Sequence, residues 1–82
     1  MHTHKKFYVY SKSGCGFCDR LTSFMDQNNV QYEKFTLGTD YTTDEFLNKF
    51  GSHATFPQVH YESQKIGGMK DTVRFLVENK LV

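Results

Sequence analysis

Eighty-two residues with an apolar fraction of 38%, eight of them Phe and five Tyr, suit a single domain over residues 1–82 whose small core is filled by large rings, and leave no room for a second. Ten basic and nine acidic side chains interleave to a formal charge of +1, which argues against a disordered chain and against the clustered basic surface of a nucleic-acid binder. The basic opening MHTHKKFYVY has an apolar run that stops at FYV, too short for a secretory leader or a membrane span, so a cytoplasmic location without membrane partner is expected. His2 and His4 read as solvated tail.

KFYVYS (6–11) is rich in rings and β-branched residues and runs into Ser11, Ser13 and Gly14, which predicts a strand entering a loop. From Cys18 onward Leu21, Phe24, Met25 and Asn28 recur at helical spacing, so an amphipathic helix should run to about Asn29 with Cys15 at its N-terminal end. VQYEKFTL (30–37) alternates like a second strand and is closed by Gly38 and Thr39. TTDEFLNKFG (42–51) opens with cap residues, carries Phe46, Leu47 and Phe50 on one face and stops at Gly51. FPQVHYESQKIGG (56–68) reads as two short strands turning near Glu62 and Ser63, with Pro57 at the first strand's beginning. Asp71 then opens a helix in which Val73, Leu76, Val77 and Lys80 share the period. The order β-α-β-α-β-β-α predicts an α/β chain, a small mixed sheet with helices on its faces and its first two strands parallel.

Cys15 and Cys18 are the only cysteines. A disulfide closing so short a loop would constrain the unfolded chain very little, which weighs against a structural staple. A zinc site needs further ligands, and His53, His60 and the tail histidines lack the paired spacing of one. A C-x-x-C segment after a strand and at a helix start instead fits a redox pair. Unpaired N–H groups and the helix dipole favour a thiolate at that end, and Lys12 adds positive charge nearby. Cys15, nearer the end and expected to be exposed, is then the attacking thiol; Cys18, one turn inside, resolves.

CGFC (15–18) is joined by TFPQVH (55–60) and IGGMKD (66–71). These motifs, in this order, resemble those of the glutaredoxins, within the thioredoxin-fold superfamily. The resemblance implies a thioredoxin-like fold, a four-stranded mixed sheet flanked by three helices, with a cis Phe56–Pro57 bond beside the cysteines. It also implies a glutathione groove lined by Lys12, Phe17, Thr55, Phe56, Pro57, Gly68, Met69, Lys70 and Asp71. There the backbone of Phe56 pairs with the tripeptide, and the helix start after Gly67 and Gly68 receives a carboxylate. Gly16 and Phe17 match the middle of the monothiol Cys-Gly-Phe-Ser motif, but the loop before Cys15 is short and the chain has no Trp-Pro segment, so the frame resembles the dithiol class. Lys70 stands where many relatives are acidic, and Met69 where some have a third thiol.

The activity implied is that of a glutathione-disulfide oxidoreductase acting on glutathionylated proteins and protein disulfides, as a monomer with glutathione as co-substrate. Two alternatives accompany it: a dimer bridged by a [2Fe-2S] cluster on Cys15 of each protomer and two glutathiones, and an electron donor to ribonucleotide reductase recharged by thioredoxin reductase. His60 and His53 read as packing or surface histidines. Phe7, Phe24, Phe46, Phe50 and Phe75 read as core, whereas Phe17, between the cysteines, should be exposed and touch substrate.

Overall fold

The computed structural model describes residues 6–82; the tail reading of His2 and His4 lies outside the described residues. Strand β1 (Phe7–Ser11) leads through a short loop into helix α1 (Gly16–Gln27), followed by β2 (Tyr32–Thr36), α2 (Thr43–Phe50), β3 (Gln58–Tyr61), β4 (Gln64–Gly67) and α3 (Met69–Glu78). The strands form one sheet in the order β2-β1-β3-β4. β1 and β2 are parallel, and the other two pairs are antiparallel. This is the mixed four-stranded sheet with three helices expected from the motifs.

Alternation along β1 divides the molecule into two layers. Phe7 and Val9 are buried on one side of the sheet with Val59 of β3, Leu21 and Met25 of α1, and Leu76 of α3. Tyr10 turns to the other side, where it meets Phe35 of β2, Tyr41, and Phe50 of α2. A leucine as deeply buried as Leu21 or Leu76 stabilises the fold by an amount that its truncation to Ala would reveal as a loss of about 2–5 kcal/mol. Both helices of the first layer are thereby anchored to β1 and β3, the two central strands.

Helix α2 carries a complete capping box. The Glu45 N–H donates to Thr42 Oγ1 at 3.1 Å, and the Thr42 N–H donates to Glu45 Oε1 at 2.8 Å. It ends at Gly51, whose φ of +99° an L side chain rarely adopts.

The buried faces of α1 and α3 differ from those read off the apolar pattern. In α3 the helix starts at Met69 with Gly68 as N-cap, two residues before Asp71. Its buried stripe runs through Thr72 and Leu76, while Val77 is 57% exposed and Lys80 lies beyond the helix. In α1, Thr22 is buried and Asn28 is the exposed C-cap. The reason is the same in both helices: a threonine hydroxyl that bonds a carbonyl one turn back can be buried without an orphaned polar group. Thr72 Oγ1 donates to the Gly68 carbonyl at 2.8 Å, and Thr22 Oγ1 to the Cys18 carbonyl at 3.0 Å. Each threonine therefore packs as a small apolar residue.

Candidate functional site

Strand β1 ends at Ser11, whose carbonyl accepts a hydrogen bond from the Tyr41 hydroxyl. Burial, with the nearby Tyr10 and Asp40, pushes the Tyr41 phenol up to about 12, so it stays a neutral donor and holds the strand's end in place. The chain then reverses through Gly14, at φ +76°, and Cys15 becomes the N-cap of α1. Its Sγ takes the role usual for a serine or aspartate oxygen: it accepts the Cys18 backbone N–H at 3.2 Å. Cys15 and Cys18 are joined as a disulfide with their Cα atoms 5.2 Å apart. Cys18 is wholly buried and Cys15 is 8% exposed. Cys15 is the more accessible of the two, but against the expectation of an exposed thiol it is itself buried, its sulfur bonded to Cys18 and capping the helix. Phe17 is 59% exposed, as expected of it, and the Arg20 guanidinium lies 5.8 Å from its ring centre.

Sheet register brings the other two motifs to the same end. Tyr10 pairs with Gln58, so β3 starts where β1 stops, and Val59 pairs with Gly67, so β4 returns to that edge. The Phe56–Pro57 bond is cis, as expected from the family resemblance, and Pro57 is buried. The Phe56 ring stacks on Phe46 at 4.2 Å between centres, and Lys12 Nζ lies 5.1 Å from the Phe56 ring centre. Gly68 faces Pro57 closely enough that a Cβ there would lie 3.6 Å from the Pro57 carbonyl oxygen. Lys12, Phe56, Pro57 and Gly68 thus surround the end of the sheet from which Cys15 emerges.

The remaining residues expected in the groove are spread more widely. Thr55 is exposed, and its carbonyl accepts Gln58 Nε2 at 2.8 Å. Met69 is half-buried and walls a cleft of about 440 Å³ with Arg20, Phe24 and Gln27 of α1. Lys70 is exposed on the first turn of α3, which has no side-chain cap, so its backbone N–H groups stay open to an anion. Asp71 lies on the β4 side of α3, in a cleft with Ile66 and Arg74, its carboxylate against Gly67. Tyr41 and Arg20 did not stand out in the sequence. Tyr41 lies between predicted elements with no signal of its own, and Arg20 falls off the apolar stripe of the first helix.

His60 is buried against the rings of Tyr10 and Phe50, and its Nε2 has no hydrogen-bond partner. Burial, then the charges of Lys49 and Lys65, hold its pKa below the ordinary 6.5. The folded state prefers the neutral ring, so the unfolded chain binds the proton first and stability falls as pH drops below about 6.5. The melting temperature of the wild type should decline through that window, and His60→Phe should flatten the decline. Identical pH profiles for the two proteins would show that His60 does not cause it. Among the described residues no group of three or more His, Cys, Asp or Glu side chains gathers to hold a metal ion.

Residues 8–66 match the glutaredoxin family model. Glutaredoxin 1 of Rickettsia prowazekii (strain Madrid E) is 27% identical over 75 residues, covering 89% of this chain and 79% of that protein. Monothiol glutaredoxin-4 of Schizosaccharomyces pombe is 33% identical over 69 residues, covering 84% of this chain and only 28% of that longer protein. Among solved structures, the buckwheat glutaredoxin–glutathione complex is similar with a TM-score of 0.72 and 28% identity, over 94% of this chain and 73% of that one. No helix among the described residues is long and apolar enough to cross a membrane.

Proposed function

The chain belongs to the glutaredoxin family, and on that premise we propose that it reduces protein–glutathione mixed disulfides and protein disulfides with glutathione as reductant. The observation that carries this reading is the place of Cys15. It caps α1 with its sulfur on the Cys18 N–H, at the sheet end that also holds Pro57 and Gly68.

In the reduced protein the open N–H groups of the α1 N-terminus and the dipole behind them favour the Cys15 thiolate. That thiolate attacks the glutathione sulfur of a mixed disulfide. The bond to the protein sulfur breaks, the protein thiolate leaves and takes up a proton, and Cys15 holds the glutathione. A second glutathione thiolate attacks that sulfur, glutathione disulfide leaves, and Cys15 returns as thiolate. When the substrate is a protein disulfide, Cys15 forms the intermolecular bond and Cys18 breaks it. The Cys15–Cys18 disulfide that results is the state described above, and glutathione reduces it.

The groove expected to hold glutathione has chemistry suited to it. Lys12 offers a cation to one carboxylate, the uncapped start of α3 offers N–H groups to the other, and the peptide edge before Pro57 offers a strand-like partner. The reading takes the 82 residues as one cytoplasmic domain, acting as a monomer. It is tested by turnover of a small glutathione mixed disulfide with glutathione, glutathione reductase and NADPH. NADPH oxidation that depends on the protein is expected; absence of turnover above the uncatalysed rate would overturn the reading.

A further inference from the structure

We propose that the cleft between α1 and the first turn of α3, with Arg20 on its wall and Phe17 beside Arg20, is the docking surface for the protein half of the substrate. It favours a segment in which acidic residues flank the modified cysteine. This rests on the glutathione-dependent reading above and names its substrate class. The cleft flanks the site: Arg20 and Phe24 belong to the helix that Cys15 caps, and Met69 is the first residue of the helix that follows Gly68. Its floor is apolar, formed by the half-buried Phe24 and Met69, and the guanidinium of its wall residue Arg20 lies 5.8 Å from the centre of the exposed Phe17 ring.

Charge settles the partner's sign. Lys12, Arg20 and Lys70 are exposed around this end, and none lies within ion-pair distance of a carboxylate among the described residues, where Lys6–Glu33 is the one pair. Asp19 is the opposing acid in the cleft, and Asp71 is turned to the far side of α3. The N-termini of α1 and α3 both point here and add to the positive field. Lys12 and Lys70 stand outside this cleft, and Arg20 is the cation on its wall. It sits against an exposed ring, so a carboxylate and an apolar side chain arriving together would meet both.

The test uses three disulfides of glutathione: a small hydroxyethyl thiol, a peptide with Asp and Glu beside its cysteine, and the same peptide with Lys in their place. Wild-type kcat/KM should favour the acidic peptide over the basic one by about fivefold, the scale of an exposed charge pair. High salt should erase the preference. Arg20→Glu should reverse the peptide preference and leave turnover of the small disulfide unchanged, and Arg20→Lys should restore the wild-type order. Equal peptide ratios in wild type and Arg20→Glu, or an equal fall on all three substrates, would overturn the docking surface while leaving the reaction intact. Failure of the wild type on the small disulfide would instead overturn the reading beneath it, and this proposal with it.

Discussion

Cys15→Ser should bring turnover of both glutathione mixed disulfides and protein disulfides down to the uncatalysed rate, whereas Cys18→Ser should keep the first and lose the second. The asymmetry follows from where the two sulfurs sit. Cys15 caps the helix, receives the Cys18 N–H and is the only one of the pair with any exposed surface, while Cys18 is sealed inside. A hydroxyl at position 15 is far too weakly acidic to supply the nucleophile at neutral pH, so no route remains. At position 18 the loss is confined to resolution, because glutathione can reach the Cys15 adduct directly. The coupled NADPH assay, run beside reduction of a protein disulfide, separates the two outcomes. Mass spectrometry of Cys18→Ser after exposure to glutathione disulfide should find one glutathione per chain. Equal loss of mixed-disulfide turnover in both variants would contradict the assigned roles.

Gly67→Ala should cost about 2 kcal/mol, within the range for a residue forced into a sparsely populated backbone region. At this chain length that lowers the melting temperature by about 10 °C. The position combines a φ of +126° with the Asp71 side chain. A Cβ at Gly67 would stand 2.5 Å from Asp71 Oδ2 and 3.1 Å from Asp71 Cβ. The oxygen can swing away, but the Cβ is bonded directly to the α3 backbone and can clear only if the helix start shifts. That start carries the open N–H groups assigned to glutathione, so KM for glutathione should rise together with the loss of stability. Gly68→Ala is the control, since its φ is −84° and its new Cβ would make only an ordinary 3.6 Å contact with the Pro57 carbonyl. Adding Asp71→Ala to Gly67→Ala should recover only the part owed to the carboxylate, because alanine keeps the Cβ that stands 3.1 Å away and the backbone strain remains. Calorimetry on the four proteins checks this; equal stability of Gly67→Ala and wild type would show that the turn does not require glycine.

Much of this was legible in residue order alone. Strand and helix periods, the cap at Thr42, the stop at Gly51 and the placement of Cys15 at a helix start are local properties, set by neighbours within a turn or two of chain. So is the exposure of Phe17, a large ring between the two cysteines at the open end of a helix. The turn at Glu62 and Ser63 was visible for the same reason, as polar residues between two short apolar runs.

Tertiary structure decided what lies beside what. Tyr10 pairing with Gln58, and Val59 with Gly67, carried Pro57 and Gly68 to the end of the sheet where Cys15 emerges. Contacts between residues so far apart in the chain have no periodic signature. Burial of Thr22 and Thr72 over Asn28 and Val77 depended on carbonyls one turn back being free to accept their hydroxyls. The outward turn of Asp71, the grip of Tyr41 on Ser11 and the meeting of Arg20 with Met69 across the cleft are likewise products of packing. A linear pattern records which side chains can be apolar or charged. Which of them face one another is set only when the sheet register and the helix rotations are fixed together, because each is the boundary condition of the other.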